Sequence, residues 1–151
     1  MLEGERSTES LDRRTLVELV RKSVAEANEQ NPNALGFVIH GSRANGGIEG
    51  KKQPRKDSDL DVITIRKNRD ANASEALANI LWRNIGPKYN ISLDTGPWGS
   101  LELEEILQAA DSPADKARII DHWREHLGDA PVVIGANSEV ESAVKKALLD
   151  R

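Results

Sequence analysis

Two stretches of sequence decide the fold: LGFVIHGS at residues 35–42 and DSDLDVITI at residues 57–65. Each contains a short, mainly apolar run with β-branched or aromatic residues, which is typical of a strand buried in a sheet. The first run ends in Gly41-Ser42, a pair that permits a tight turn and a close approach of the backbone to a ligand. The second run begins with Asp59 and Asp61, so each predicted strand carries polar chemistry at one end.

The rest of the chain alternates helical and strand patterns. Apolar residues at helical spacing predict helices over about 11–29 and 70–85, after Ser100, from Ser112 to Gly128, and around Val140–Leu148. Further strands are predicted at 89–94 and 132–134. Ser10 and Ser100 are predicted N-caps, and Gly86-Pro87 is predicted to stop the second helix.

This order predicts the α/β (α+β) class, with a mixed sheet of three to four strands flanked by helices. We expect residues 1–10 to form a flexible N-terminus and residues 11–151 to form a single domain. Within that domain a catalytic core would span about 35–94, and a helical C-terminal part would span 100–151.

The composition excludes several classes of protein. The chain has 25 acidic and 21 basic residues and a net charge of −4, which argues against a general polyanion binder but leaves room for a local basic patch. It has no cysteine and hence no disulfide or thiolate metal site. No apolar run approaches membrane-spanning length, and the polar, acidic N-terminus does not resemble a signal peptide, so we expect a cytoplasmic protein without membrane contact.

The carboxylates suggest a metal site. Asp59 and Asp61 are two residues apart, so they share one face of a strand, where a divalent cation would relieve their repulsion. Asp94 ends the third predicted strand and would complete a cluster if that strand lies beside the second. Mg²⁺ prefers such oxygen ligands together with substrate phosphates. Taken alone, an Asp-x-Asp pair is more often a solvated strand end.

The Gly41-Ser42 turn suits a phosphate. Ser42 offers a hydroxyl, the following amides can form an anion-binding nest, and Arg43 adds a charged fork. The loop that follows is rich in glycine and contains a basic run, residues 51–56, that either grips phosphates or forms an ordinary charged surface. The pattern is not that of a P-loop.

Together these motifs resemble the nucleotidyltransferase superfamily that includes DNA polymerase beta, in particular its small stand-alone bacterial members. The resemblance rests on VIHGS at residues 38–42, on DLDV at residues 59–62 and on Asp94. The gap between the first two motifs is longer than usual, and the basic run fills it. The segment from Leu101 onward carries no part of the resemblance.

The resemblance implies the fold of polymerase beta and a transfer of nucleoside monophosphate from a triphosphate to a hydroxyl, with release of pyrophosphate. It implies that Asp59, Asp61 and Asp94 are catalytic and hold two Mg²⁺ ions. Gly41, Ser42 and Arg43 would bind the nucleotide, with ATP or CTP as the donor. The acceptor would be a protein or an RNA. The chain could act in a toxin–antitoxin pair, or as a toxin domain delivered to a target cytoplasm. Its partner would be a second copy in a homodimer or a cognate toxin or immunity protein.

Other interpretations stay open. The chain could be an inactive nucleotide-binding or interaction module of the same fold, or a plain α/β interaction domain whose acids coincide by chance. His122 and His126 lie four residues apart on a predicted helix, where a solvated face is the simpler interpretation. Trp98 is a candidate for stacking on a nucleobase, and His40 could face either the core or the site.

Overall fold

A computed structural model of the chain describes residues 12–40, 60–89, 93–94, 100–110, 113–114, 118, 121 and 131–148. Its helices and strands, in chain order, are α1 (Arg13–Gln30), β1 (Ala34–His40), β2 (Leu60–Arg66), α2 (Ala71–Tyr89), β3 (Leu93–Asp94), β4 (Ser100–Glu102), α3 (Leu103–Ala110), β5 (Val132–Gly135) and α4 (Ser138–Leu148). The described residues 113, 114, 118 and 121 are helical too, as the pattern beginning at Ser112 predicts.

The strands form one mixed sheet with β1 and β2 at its centre. β1 is antiparallel to β2 on one side and to β5 on the other. The far edge of β2 pairs in parallel with two short strands, with β3 beside its first residues and β4 beside its last. The sheet is therefore four strands wide although five strands build it, and the predicted α+β class is confirmed.

Helices cover both faces of the sheet. Apolar side chains of α1 and α2 pack on one face, against Phe37 and Ile39 of β1 and Leu60 and Val62 of β2. Side chains of α3 and α4 pack on the other face, against Val38 and the alternate residues of β2. Because both faces are covered, β1 and β2 are almost continuously apolar instead of alternating.

The first helix begins later than predicted. Its N-cap is Asp12, whose Oδ1 accepts a hydrogen bond of 2.8 Å from the Thr15 N–H. An aspartate with this bond satisfies one of the open N–H groups of the first turn, so the cap falls there and not at Ser10, which lies outside the described residues. The helix ends at Gln30, close to its predicted end, with Asn31 as the C-cap.

The predicted end of the second helix is wrong. α2 continues through Gly86 and Pro87 to Tyr89, so Tyr89 belongs to a helix and not to the third strand, which the structure describes only as Leu93–Asp94. Proline removes a single helical hydrogen bond, to the carbonyl four residues earlier, and only two residues of the helix follow it. Ile85 and Gly86 are buried and Tyr89 packs on the core, so tertiary packing holds this last turn.

Ser100 is not a helix cap. It is the first residue of β4, and α3 begins three residues later at Leu103. Its hydroxyl lies 2.7 Å from those of Thr64 and Ser74, so it is used across the sheet and not to cap a helix. Within α3, Ile106 is buried, whereas Leu107 is half exposed. The predicted strand at 132–134 and the final helix are confirmed as β5 and α4.

Candidate functional site

Three neighbouring strands bring predicted site residues together at one end of the sheet. His40 of β1 is the register partner of Asp61 in β2, and Asp61 is the register partner of Asp94 in β3. Neighbouring strands lie about 4.8 Å apart, so the backbones of these three residues form a row roughly 10 Å long. The condition on which the role of Asp94 depends, that the third strand lies beside the second, is confirmed.

The chain connects the remaining predicted residues directly to this row. Gly41 and Ser42 follow His40, the last residue of β1, and Asp59 precedes Leu60, the first residue of β2. Gly41, Ser42, Arg43 and Asp59 themselves lie outside the described residues, as do the basic run at 51–56, Trp98, His122 and His126. Their predicted roles therefore stay predictions.

Asp61 and His40 lie on the same face of the sheet. Residues directly opposite each other in an antiparallel pair point to the same side. That side also carries Val38 and Ile63, which pack against α3 and α4. Both side chains are half-buried, and Nε2 of His40 is shielded from solvent. His40 thus lies on the face of the sheet that carries Asp61, opposite the face covered by α1 and α2.

The donors of this row fit a hard divalent cation. Asp61 and Asp94 are register partners on adjacent strands, and Mg²⁺ prefers carboxylate oxygens as ligands. Within the described ranges no group of three histidine, cysteine or acidic side chains is placed to hold a metal ion. The predicted ligand set also needs Asp59, which falls outside those ranges.

The structure contains a polar cluster that the sequence did not reveal, on the other face of β2. The hydroxyls of Thr64, Ser74 and Ser100 form a closed triangle with sides of 2.7 to 3.0 Å. Beside it, Arg66 Nε donates to Glu102 Oε1 at 2.5 Å, and Arg66 Nη1 donates to Ser74 at 3.3 Å. We call these five residues the polar clamp.

The polar clamp ties three elements together. Thr64 and Arg66 lie on β2, Ser74 on α2, and Ser100 and Glu102 on β4. Glu102 is only 8% exposed, and its second carboxylate oxygen accepts a bond of 3.1 Å from the Arg69 N–H. Buried polar groups with satisfied partners specify one arrangement because any shift leaves them unpaired. The clamp therefore fixes β4 on the same edge of β2 that β3 occupies.

Sequence reasoning missed the clamp because its signal is weak. Thr64 and Ser100 are the only hints, as polar residues inside or beside apolar runs, and Arg66 and Glu102 read as ordinary strand-end charges. Their pairing depends on the register of β2 with β4, in which Thr64 faces Ser100 and Arg66 faces Glu102.

The opposite end of the sheet is organised around Asp70. Its carboxylate accepts bonds from the side chains of Asn31 and Asn33, at 3.0 and 3.1 Å, and from the backbone of Asn72 at the start of α2. These bonds, led by those from Asn31 and Asn33, hold the pKa of Asp70 below its usual range. These bonds join the start of α2 to the turn between α1 and β1, which gives this carboxylate a structural role.

No protein-family model, no curated protein and no solved structure matches this chain. None of the helices that the structure describes has the length and apolar character needed to cross a membrane.

Proposed function

We propose that this chain is a Mg²⁺-dependent nucleotidyltransferase of the polymerase beta type. The observation that carries the proposal is the register of His40, Asp61 and Asp94 on three adjacent strands. It supports the proposal because Gly41-Ser42 follows the first of these residues directly and Asp59 lies two positions before the second. A phosphate-binding turn and a set of carboxylates would then lie at one end of the sheet.

In this proposal Asp59, Asp61 and Asp94 hold the metal ions, and Gly41, Ser42 and Arg43 bind the triphosphate. When bound, Mg²⁺ neutralises phosphate charge and lowers the pKa of the attacking hydroxyl. The acceptor oxygen bonds to the α-phosphorus of the nucleotide while the bond to pyrophosphate breaks. The hydroxyl proton passes to a carboxylate oxygen, for which Asp94, at the outer end of the row, is the candidate.

The donor that we propose is ATP or CTP, and the acceptor is a hydroxyl of a protein or an RNA. A role in a toxin–antitoxin pair, or as a toxin domain acting in a target cytoplasm, suits a small enzyme whose acceptor is a macromolecule. The proposed partner is then a cognate toxin, antitoxin or immunity protein, or a second copy of the chain.

The direct test is transfer of labelled nucleotide. Purified protein is incubated with each of the four labelled triphosphates, Mg²⁺, and total protein or total RNA as acceptor. We expect incorporation with at least one donor, and its loss by a factor of at least about 100 in Asp61→Asn, because a metal ligand acts directly on the transition state. Asp121→Asn, the same change at an exposed helical residue, is the matched control and should keep full activity.

A second measurement separates chemistry from binding. A ligand at 100 times its dissociation constant stabilises a protein by about 2.7 kcal/mol, which for a domain of this size raises the melting temperature by roughly 5–10 °C. A rise with Mg²⁺ and ATP but no incorporation would favour an inactive nucleotide-binding module. If the melting temperature does not rise and no donor is incorporated, the proposal is refuted.

A further inference from the structure

A basic cleft runs along the outer edge of the sheet, far from the carboxylates in the strand order. It has a volume of about 600 Å³ and is lined by residues 131–134, by Val17 and by four cationic side chains. These are Arg13, Arg14 and Arg21 of α1 and Lys145 of α4. Among the described residues that line it there is no acidic and no aromatic side chain. We call it the β5 cleft.

The β5 cleft follows a strand edge and not one face of the sheet. Side chains alternate between faces along a strand, yet the cleft touches four consecutive residues, 131–134. One wall is α1, which packs on one face of the sheet, and the other is α4, which packs on the opposite face. Between the walls lies the edge of β5, whose described pairing is with β1 alone.

The hydrogen-bond pattern shows which main-chain groups point into the cleft. Ala136 N–H donates to the Leu35 carbonyl at 2.7 Å, so by antiparallel alternation Ile134 and Val132 are also bonded to β1. The backbone N–H and C=O groups of Val133 and Gly135 then point away from β1. Gly135 N–H fits this assignment, since it donates to Glu141 Oε1 at 3.1 Å.

Only a short guest strand fits this edge. Glu141 occupies the Gly135 N–H at one end, and Pro131, which has no N–H, lies at the other. Between Pro131 and Gly135, the N–H and the carbonyl of Val133 are the backbone groups left to pair with a guest strand. A guest would therefore pair over about three residues, or roughly 10 Å, and would need side-chain contacts as well.

The charges select the guest. The carboxylate of Glu141 lies 3.3 Å from Arg21 Nη1 and 3.5 Å from Lys145 Nζ. Arg14 forms an ion pair with Glu18, whereas Arg13 has no ion pair within the described residues. Burial alone would raise the pKa of Glu141, but the Gly135 N–H, Arg21 and Lys145 outweigh it and hold the pKa below its usual range. Counting these two acids against four cations leaves the cleft with an excess of two positive charges.

We propose that the β5 cleft binds an acidic, extended segment of a partner protein, which adds as a short strand beside Val133. Its side chains would alternate between the two walls, so that carboxylates at every second position face the arginines of α1. Pairing of the β5 edge with the same edge of a second copy would bring the like charges of two β5 clefts together. A nucleic acid strand would find no aromatic surface for its bases among the described lining residues. The proposal is independent of the transfer reaction.

The test uses peptide probes and fluorescence anisotropy, without nucleotide or metal. The probe is a fluorescein-labelled hexapeptide of alternating valine and glutamate. Its controls are the same peptide with N-methylated central amides, a valine–lysine version, and a short labelled oligouridine. We expect the first peptide to bind, the N-methylated and lysine versions to bind at least about threefold more weakly, and affinity to fall when salt rises from about 50 to 300 mM.

Two protein variants locate the site. Arg13→Glu should weaken binding by roughly three- to tenfold, since it reverses an exposed charge in the cleft. Lys22→Glu makes the same kind of charge reversal nine residues further along α1, at an exposed residue outside the lining, and should bind as the parent does. Equal effects of the two variants, equal binding of the N-methylated peptide, or tighter binding of oligouridine would each overturn the proposal. So would a concentration-dependent dimer that Arg13→Glu abolishes.

Discussion

The ion pair of the polar clamp offers a quantitative test of how this sheet is held together. Glu102 is 8% exposed, and its two oxygens accept bonds from Arg66 Nε and the Arg69 N–H. Replacing one member of a buried pair leaves an uncompensated charge and costs about 3–5 kcal/mol. The Arg66 side chain is 21% exposed, so we expect the lower end, about 3 kcal/mol, for either Glu102→Leu or Arg66→Met.

The double variant should be far less damaged than the sum of the singles. Removing both charges abolishes the desolvation cost of each, and what remains is the loss of bonds to the Arg69 N–H and the Ser74 hydroxyl, together with imperfect packing. We expect a total loss of about 3 kcal/mol, and so a coupling energy of about 3 kcal/mol, at the upper end for residues in contact.

Urea unfolding of the parent, the two single variants and the double variant measures this cycle. Each single variant should also lose roughly 6–12 °C of melting temperature. The matched control is the pair Arg69 and Glu105, whose closest atoms are 3.8 Å apart and whose side chains are 79% and 52% exposed. Arg69→Met and Glu105→Leu should show a coupling below about 0.5 kcal/mol. Additive losses at Arg66 and Glu102, or single losses no larger than those of the control, would refute the reasoning.

Two further predictions concern glycines and pH. Gly36 has φ +156°, and a Cβ there would lie 2.1 Å from the Ile134 carbonyl oxygen, so Gly36→Ala should cost at least about 3 kcal/mol in urea unfolding. In Gly86→Ala the new Cβ would lie 2.6 Å from the Trp82 indole, but that side chain is half exposed and can turn away. The free energy of unfolding should therefore fall by less than about 1 kcal/mol, while tryptophan fluorescence changes. An equal loss of stability at both glycines would contradict this distinction. The pKa of Asp70 is lowered in the fold, so its contribution to stability should be complete above its unfolded pKa near 3.8 and disappear as pH falls through the lower folded value. Asp70→Asn should therefore flatten the loss of melting temperature below about pH 4, and an unchanged profile would show that these bonds are not what stabilises the folded state.

Local patterns predicted the elements that depend on local chemistry. The apolar runs at β1 and β2 and the periodicity of α4 were sufficient, because burial on both sheet faces and helical spacing leave direct traces in sequence. Asp94 could be placed because it does lie in a strand beside β2, which the structure describes as Leu93–Asp94.

The failures come from positions where packing overrides a local preference. Pro87 reads as a helix stop, yet the buried Ile85 and the contact of Tyr89 with the core keep the last turn helical. Ser100 reads as a cap, yet its hydroxyl is engaged by Thr64 and Ser74, residues 36 and 26 positions away. Because residues so far apart in sequence do not form a local pattern, the polar clamp could be identified only from the register of β2 with β4.

The location of the β5 cleft has the same origin. Val133 becomes an edge residue only because β5 pairs with β1, which lies nearly a hundred residues earlier in the chain. The arginines of α1 are ordinary surface charges in the sequence and become one wall only when the helix packs against that pair of strands.

The arrangement of β2 links the proposed site to the rest of the fold. Asp61 lies near its first residue and the polar clamp at its end, while β3 and β4 share its outer edge. β2, which carries Asp61, is therefore held on one side by the seven residues of β1 and on the other by β3 and β4. The described pairing of β3 with β2 covers Leu93 and Asp94. The polar clamp holds β4 on the same edge of β2, and only five residues separate Asp94 from Ser100. The polar clamp therefore supports the placement of Asp94 beside Asp61, although it lies on the opposite face of β2 from Asp61 and at the other end of that strand.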